Sequence, residues 1–311
     1  MRQGGGMNIT LRQLAHFRAA ARAGSISGAA EREHVSRSSI AAAIDDLERV
    51  LGLTLCIRTK AAGIELTQQG EEVLAQAADV LQRAGAIESL GRGDGPSGTV
   101  TVGCFPSLAP TVMAAAWATM AKRHPDVTLH VVSLGKDQIV DGVRTGQLDC
   151  GLAYNLQVHP ELRTTAIYDT EMHAILSPDH PLAAHRVVEA GDLIDQPLIL
   201  MDVSPSVEDT MAYFDACGLV PRVLTRTPNF EFIRSLVARG VGYSLFIQRP
   251  RNRMSYEGRP IVTRRLTPRP HRETATFAWR ADREQSSAVR ALQQVLLDAA
   301  PELAPFDSED G

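Results

Sequence analysis

The segment SRSSIAAAIDDLERVLG, residues 36–52, decides the predicted fold of the N-terminal part of this 311-residue chain. Its apolar residues recur at four-three-four spacing, which places them on one face of a helix: Ile40, Ile44, Leu47 and Leu51. Ser36 is a typical N-cap residue for this helix, and Gly52 is a typical terminator. The opposite face begins with small and polar side chains and is therefore free to meet a partner.

Two shorter helices are predicted before this segment. Thr10 and Gln13 form a capping box, which starts a helix that ends at Gly24. Its apolar stripe contains Leu11, Leu14, Phe17, Ala20 and Ala21. Ser27 is the predicted cap of a second helix, whose small residues Ala29 and Ala30 allow a close helix crossing. With a turn at His34-Val35, the three helices form a predicted helix-turn-helix, whose third helix is the candidate for the major groove.

A hairpin is predicted directly after the third helix. Residues 53–58 have the pattern of a strand, 59–63 form a turn, and 64–66 return. A hairpin in this place is a wing, and Arg58 and Lys60 near its tip suit contact with phosphate. The alternative is a solvated, charged edge without a partner.

The predicted DNA-contacting residues belong to the leading edge of the third helix and to the wing. A guanidinium can bond a guanine edge or a phosphate, hydroxyls can take either role, and alanines can meet a thymine methyl group. The set is Ser36, Arg37, Ser38, Ala41, Ala42, Arg58 and Lys60. The charge distribution agrees, because residues 1–66 carry nine basic and six acidic side chains while the whole chain has net charge -4.

A longer helix over 67–90 is predicted next. Apolar residues recur along it at intervals of three and four positions and form a seam that suits pairing with a second copy. They are Leu74, Ala77, Leu81, Ala84 and Ile87. Packing on its own domain is the alternative. Residues 91–98, GRGDGPSG, form a predicted flexible joint.

Residues 99–300 alternate strand and helix patterns, which predicts an α/β domain with a parallel sheet. A first lobe over about 99–166 and 261–300 and a second lobe over about 167–260 are expected. Helices are predicted to start at Ser107 and at Ser204-Pro205. Ligands of open α/β sheets bind where such helix N-termini offer free N–H groups, so the two serines are candidates for a cleft that binds a carboxylate. Helix capping alone is the alternative for each serine.

Residues 8–66, which we call the head, resemble the winged helix of LysR-type transcriptional regulators. The matching strings are Leu11-Arg12-Gln13-Leu14, Phe17, Gly24-Ser25-Ile26, Ala29-Ala30, Val35-Ser36, Leu47-Glu48, Leu51-Gly52, Arg58-Thr59 and Leu66-Thr67 with Gly70. The chain departs from the family at Arg37, Ala41, Ala42, Asp45 and Asp46, and its wing has fewer arginines. Fewer cations neutralise fewer phosphates, so we expect weaker DNA binding with a shallower salt dependence.

Residues 99–300, which we call the body, resemble the two-lobed effector domain of the same family. That domain is related to periplasmic binding proteins. The matching strings are residues 98–103, His124-Pro125-Asp126-Val127, Gly146-Gln147-Leu148-Asp149, His180-Pro181-Leu182 and residues 237–242. The resemblance implies an effector pocket made by Phe105, Pro106, Ser107, Ser133, Tyr154, Met201, Ser204 and Phe230. Three of these are aromatic, so an aromatic ring is a second candidate chemistry beside a carboxylate, with burial in the core as the alternative.

The predicted function is therefore sequence-specific DNA binding and transcriptional regulation, modulated by a small molecule in the interlobe cleft. Promoter DNA, the effector and further copies of the chain, as a dimer or tetramer, are the predicted partners, and RNA polymerase is a candidate. A small-molecule binding protein without DNA function and an α/β enzyme are the alternatives.

Chemistry of other kinds is not indicated by the sequence. The four cysteines are widely spaced, which argues against a zinc site or a disulfide framework, and no catalytic motif of a hydrolase, metalloprotease or nucleotide-binding enzyme is present. We therefore predict no catalytic residues, no metal and no cofactor. The absence of a hydrophobic leader or a long apolar run predicts a cytoplasmic protein.

Overall fold

The computed structural model describes residues 8–59, 63–89, 95–156 and 159–303. The head contains three helices and a hairpin: α1 Leu11–Ala23, α2 Ile26–Arg32, α3 Arg37–Leu51, β1 Cys56–Thr59 and β2 Gly63–Leu66. Its core is formed by residues that the sequence places on the inner helix faces, among them Leu14, Phe17, Ala29, Ile40, Ile44 and Leu47. The predicted helix-turn-helix and wing are both present.

The helix ends of the head follow local chemistry. Thr10 and Gln13 form the predicted capping box. Gly24 and Gly52 end α1 and α3 in left-handed conformations, with φ of 62° and 68°. The predicted cap of α2 was wrong by two residues, because Ser25 accepts from the Gly28 amide at 3.0 Å and Ser27 lies inside the helix.

Other details of the predicted helix faces also differ. Leu11, assigned to the buried stripe of α1, is 48% exposed, because the first residue of a helix lies at the edge of its buried face. The wing is shorter than predicted, since its first strand begins at Cys56.

The wing is attached to the end of α1. Ile64 donates its amide to the Gly24 carbonyl at 2.8 Å. Gly63 has φ +83°, and a Cβ there would collide with that carbonyl oxygen. Glycine is therefore required at this position both for backbone conformation and for space.

Helix α4, Gln68–Ser89, follows the wing. Thr67 caps it by accepting from the Gly70 amide at 2.9 Å. Leu74 and Ala77 are buried in the head core, whereas Ile87 is 69% exposed. The predicted seam therefore divides: its first half packs on its own domain, and its second half is free.

The first lobe is built on a five-stranded mixed sheet of order β4-β3-β5-β13-β6. Its strands are β3 Gly98–Cys104, β4 Val127–Ser133, β5 Cys150–Tyr154, β6 Leu162–Glu171 and β13 Arg272–Arg280. Strands β4, β3 and β5 are parallel as predicted, while β13 is antiparallel to β5 and β6. The helices of this lobe are α5 Ala114–Arg123, α6 Lys136–Thr145 and α10 Ser287–Leu303, and a π-helical turn, Ala109–Met113, precedes α5.

The second lobe has a four-stranded sheet of order β11-β7-β12-β8 and a parallel pair, β10-β9. Its elements are β7 His173–Leu176, β8 Val187–Glu189, α7 Ala190–Leu193, β9 Leu198–Met201, α8 Ser206–Ala216, β10 Val223–Thr227, α9 Phe230–Ala238, β11 Ser244–Phe246 and β12 Val262–Thr267. Strand β12 therefore belongs to this lobe, although the sequence analysis assigned 261–300 to the first. Conversely, β6 continues in the first sheet to Glu171, past the expected boundary at 166. Strand patterns do not specify which sheet a strand joins.

Candidate functional site

The outward edge of α3 presents the residues predicted to meet DNA. Ser36 caps the helix by accepting from the Ser39 amide at 3.1 Å, which fixes the first turn. Arg37, Ser38 and Ala42 are exposed and Ala41 is partly exposed, opposite the buried face of the helix. This edge is small and polar enough to enter a groove.

Acidic residues on the same helix engage the nearby cations. Asp45 forms an ion pair with Arg58 of the wing, and Asp46 forms one with Arg49. All four side chains are more than two-fifths exposed, so each pair is readily exchanged for another partner. Arg58 must leave Asp45 before it can neutralise a phosphate. Lys60, the other predicted wing contact, lies outside the described residues.

Glu48 holds the wing against α3. Its Oε1 accepts from the amides of Leu55 and Cys56 at 2.7 and 3.1 Å. The base of the hairpin is thus fixed relative to the groove-facing helix. The sequence analysis quoted Glu48 only as part of a motif and did not assign it this positioning role.

A pocket lies between the two lobes, and its empty space, with the open solvent at its mouth included, is about 320 Å³. Five of the eight predicted effector residues line it: Phe105, Ser107, Tyr154, Met201 and Phe230. Four aromatic rings line it in two pairs: Phe105 is edge-on to Tyr154 at 5.6 Å, and Phe230 stacks on Phe246 at 4.5 Å between centroids.

A chain of neutral hydrogen bonds forms the polar part of the pocket. The Tyr154 hydroxyl lies 3.2 Å from Ser107 Oγ and donates to Gln248 Oε1, also at 3.2 Å. Tyr168 donates to the same oxygen at 2.7 Å. Burial is the main cause that raises the pKa values of both tyrosines, so both hydroxyls stay protonated donors. The network joins a first-lobe strand to the segment after β11.

Three predicted pocket residues do not line this pocket: Pro106, Ser133 and Ser204. The expected helix starts were also wrong. The helical segment after Ser107 begins only at Ala109 and has no side-chain cap, and α8 begins at Ser206, with Ser204 Oγ 3.5 Å from Asp137 Oδ2 instead. The hydroxyls are used between side chains, not on helix N–H groups, so the predicted pair of capped helix ends is absent here.

Seven further residues of the pocket were missed: Met172, Ser206, Thr210, Leu245, Phe246, Ile247 and Gln248. Residues 245–248, at the end of β11 and directly after it, supply four of these seven. Gln248, a polar residue directly after an apolar run, was the available signal.

An acidic group of the first lobe, Glu273, lies within electrostatic reach of Asp209 on α8 of the second lobe. Asn155 donates to Glu273, and its Oδ1 accepts from the Thr274 amide at 2.9 Å. Burial and then the charge of Asp209 raise the pKa of Glu273 to about 7, against a smaller opposite effect of Lys136. This carboxyl therefore titrates near neutral pH.

Among the described residues no group of three or more potential metal ligands comes together. No helix in the described part of the chain is long and apolar enough to span a bilayer.

Comparisons with known proteins agree on both parts of the chain. Residues 11–71 match the family "Bacterial regulatory helix-turn-helix protein, lysR family", and residues 93–301 match the "LysR substrate binding domain". The chain is 29% identical to the Hca operon transcriptional activator HcaR of Escherichia coli over 76% of this chain and 81% of that protein. It is 31% identical to a probable hydrogen peroxide-inducible genes activator of Mycobacterium avium, over 77% and 78%.

Solved structures give the same result. HinK, a LysR family transcriptional regulator from Pseudomonas aeruginosa, is 26% identical with a TM-score of 0.62, over 95% of this chain and all of that one. Both the head and the two-lobed body therefore have counterparts in one known architecture.

Proposed function

Because the chain belongs to the LysR family of DNA-binding transcriptional regulators with an effector domain, we propose which of its residues contact DNA and which bind the effector. We take the head as 8–66, the linker helix as 67–90, the joint as 91–98 and the effector domain as 99–300. We further propose that the protein works in the cytoplasm, beside the chromosome, and has no catalytic activity of its own.

DNA is bound by the leading edge of α3 and by the wing. Arg37 and Ser38 contact base edges, Ala41 and Ala42 contact thymine methyl groups, and Ser36, Arg58 and Lys60 contact phosphates. The exposure of Arg37 and Ser38 at the capped start of α3 is the observation that supports this assignment.

The effector binds in the interlobe pocket. The aromatic rings of Phe105, Tyr154 and Phe230 favour a ligand with an aromatic ring, which would be oriented by the hydroxyls of Ser107 and Tyr154 and by Gln248. Every lining residue is uncharged, so a carboxylate would be held by neutral donors alone. We therefore rank the aromatic ring above the carboxylate.

Oligomers present two recognition helices to one site. The second half of α4 supplies a free apolar surface, with Val80 43% and Ile87 69% exposed, which suits pairing with the same helix of another copy. A dimer is the basic unit and a tetramer its extension, with RNA polymerase as a further partner on the promoter.

Ligand modulation follows from differential affinity. An effector can change DNA binding only if it binds one arrangement of the lobes more tightly than the other. The Tyr154–Gln248 bond crosses between the lobe elements, so a ligand that replaces this bond changes the preferred arrangement. The alternative function is a small-molecule binding protein without DNA activity, favoured by the ion pair between Asp45 and Arg58.

The test is a titration of the purified protein into labelled DNA from upstream of its own gene, beside a scrambled duplex, over a salt series. We expect selective binding that weakens with salt and changes when an aromatic effector is added. Equal, weak binding to both duplexes, with ligand binding retained, would instead establish the alternative function.

A further inference from the structure

A short segment of the second lobe has a charge opposite to that of the rest of the protein. Residues 249–272 contain eight arginines and a single acidic residue, Glu257. Their net charge is +7 in a chain whose net charge is -4. The segment comprises the connection from β11 to β12, strand β12, the turn that follows it and Arg272, the first residue of β13.

The fold brings four of these arginines together. Arg264 and Arg265 lie on β12, opposite Ala174 of β7 and Val187 of β8 respectively. The connection returns to the start of this strand, where the Ile261 amide donates to the Arg253 carbonyl at 2.7 Å. Arg249 lies within electrostatic reach of the other three. We call Arg249, Arg253, Arg264 and Arg265 the arginine face. Within it, Arg264 already donates to the carbonyls of Thr263 and Ala183, at 2.8 and 2.9 Å.

A buried side chain fixes the loop that presents Arg253. Arg234 of α9 is 4% exposed and donates to the carbonyls of Asn252 and Met254, at 3.0 and 2.7 Å. These carbonyls lie on either side of Arg253. Glu231 accepts from Arg234 Nε at 2.9 Å and from the Tyr256 amide at 2.5 Å. The face is therefore held in place before any partner arrives.

The arrangement is electrostatically unfavourable without a counter-ion. Burial lowers the pKa of Arg249, and the charges of Arg253, Arg265 and Arg264 lower it further. Arg264 is affected in the same way by burial and then by Arg253. Nearby like charges disfavour the charged form of each guanidinium. An anion bound at the face would relieve this repulsion.

The nearby carboxylates that form ion pairs in the structure are bound to arginines outside the face. Glu257 pairs with Arg239 and Arg259, at 2.8 and 3.9 Å, and Glu171 pairs with Arg269 at 2.7 Å. Within the described ranges no carboxylate forms an ion pair with Arg249, Arg253 or Arg264. The described residues therefore supply no carboxylate partner to these three side chains, which leaves them available to an external anion.

The observations favour phosphate oxygens of DNA as that anion. A guanidinium matches phosphate geometry with paired N–H groups. Tyr256, 91% exposed on the same loop, adds a ring that can pack against sugar. Duplex DNA is the polyanion that this family binds, and in the head Arg49 and Arg58 already have carboxylate partners. An extra phosphate surface would compensate for this loss.

We propose that the arginine face is a second phosphate-contact surface, which binds the backbone of duplex DNA outside the site recognised by the helix-turn-helix. The proposal rests on the DNA-binding function but not on any particular target sequence, because backbone contacts are independent of base identity.

The test uses the full chain with R249Q/R253Q. Neither side chain has a hydrogen bond or ion pair among the described residues, so the substitutions break no such bond there. Binding is measured by fluorescence anisotropy on two random-sequence duplexes. One has about 20 base pairs, enough for two half-sites one turn apart, and one has about 60. The salt slope is the slope of log affinity against log salt concentration, and two phosphate contacts change it by about 1.8. On the long duplex, the wild type should therefore lose about tenfold more affinity than the variant between about 50 and 200 mM salt.

The matched control is R163Q/R226Q, which removes the same charge from two exposed positions outside the face. We expect the control to keep the wild-type slope on both duplexes, and R249Q/R253Q to keep it on the short duplex. Equal slopes for wild type and R249Q/R253Q on the long duplex would overturn the proposal. Equal losses of affinity by R249Q/R253Q on the short and the long duplex would also overturn it. So would a changed sedimentation mass of this variant with unchanged DNA binding, which would show that the face binds an acidic protein surface.

Failure of the proposed function gives a different result. If upstream DNA is bound no better than scrambled DNA, target selectivity is absent. The length-dependent difference on random duplexes is still measurable, so the two hypotheses are tested separately.

Discussion

Arg22 of the head forms an ion pair with Asp149 of the first lobe, with Arg22 Nη2 2.9 Å from Asp149 Oδ1. Arg22 Nη1 also donates to Thr101 Oγ1 at 2.8 Å, and Asp149 Oδ2 accepts from the Thr101 amide at 2.7 Å. The two charged side chains are 12% and 25% exposed. Asp149 directly precedes β5, the strand that ends at Tyr154 in the pocket. One strand of five residues, about 16 Å long at 3.3 Å per residue, therefore joins the head contact to the effector pocket.

A second contact reinforces this connection. Arg283, which follows β13, forms an ion pair with Asp79 of α4 at 2.7 Å and donates to the Ala75 carbonyl. Gly146 packs against the same part of α4, where an added Cβ would lie 3.4 Å from Ala78 Cβ. The first lobe thus contacts both α1 and α4, and we expect a shift of β5 to alter the contacts with the head.

The Arg22–Asp149 pair should be energetically coupled. A double-mutant cycle with R22M and D149N, measured by denaturant unfolding, is expected to give a coupling energy of about 1–2 kcal/mol, because the pair is partly desolvated and shares Thr101. The exposed pair Arg123–Asp298, with exposures of 57% and 43%, is the control and should give less than about 1 kcal/mol. Indistinguishable coupling in the two cycles would show that the head is not held at this point.

Removing Asp45 should strengthen DNA binding. D45N releases Arg58 for a phosphate and deletes a negative charge from the DNA-facing helix. We expect several-fold tighter binding and a salt slope steeper by about 0.9, the value for one additional phosphate contact. D126N, on the effector domain, is the matched control and should leave the slope unchanged. Weaker binding by D45N would mean that the ion pair orients Arg58 for DNA.

Substitutions of Tyr154 and Tyr168 are expected to distinguish effector affinity from folding stability. Both donate to Gln248, but only Tyr154 lines the pocket. Y154F should lower the affinity for an aromatic effector by about tenfold, corresponding to one hydrogen bond of about 1–1.5 kcal/mol. Y168F should lose a similar amount of folding stability but keep its affinity for the effector. Calorimetric titration measures the affinity, and denaturant unfolding measures the stability. Equal effects on effector affinity would place the ligand elsewhere.

Glu273 should make stability depend on pH near neutrality. Its pKa in the fold, about 7, lies above its ordinary value of 4.5, so the folded protein retains a proton that the unfolded chain has lost. The contribution of this group to the free energy of unfolding is therefore greatest at low pH and falls as pH rises from 4.5 through 7.

The substitution E273Q removes this dependence. The free energy of unfolding of E273Q relative to wild type should rise by about 1 kcal/mol between about pH 5 and 8, a value reduced for the partial solvent exposure of the carboxyl. In D209N the same step should move to lower pH, because the second cause of the raised pKa is removed. A difference that is constant with pH would contradict the assignment.

Local features were predictable from the sequence because they depend on nearby residues. The capping box at Thr10, the cap at Ser36 and the glycine terminators were confirmed since each is a contact within one turn of helix. The cap of α2 was misplaced because Ser25 and Ser27 are both suitable caps, and only the path of the chain after Gly24 decides between them.

Contacts between distant segments of the chain were harder to predict from the sequence. The position of β12 in the second sheet depends on pairing with β7, nearly 90 residues away in sequence, and the strand pattern is the same in either sheet. The Gln248 contacts and the Arg22–Asp149 pair likewise join distant segments. Five pocket residues were found through family resemblance, whereas the geometry that connects them needed the structure.

The most direct test of the account is the ratio of affinities for upstream and scrambled duplexes, measured for wild type, R37Q and the head control R32Q by anisotropy at one fixed salt concentration. Arg37 is assigned a base contact, so R37Q should lower this ratio by about 5- to 150-fold, equivalent to about 1–3 kcal/mol, while R32Q leaves it unchanged. An unchanged ratio for R37Q, with binding to both duplexes reduced equally, would show that Arg37 contacts phosphate only and that α3 does not recognise the sequence in the way described.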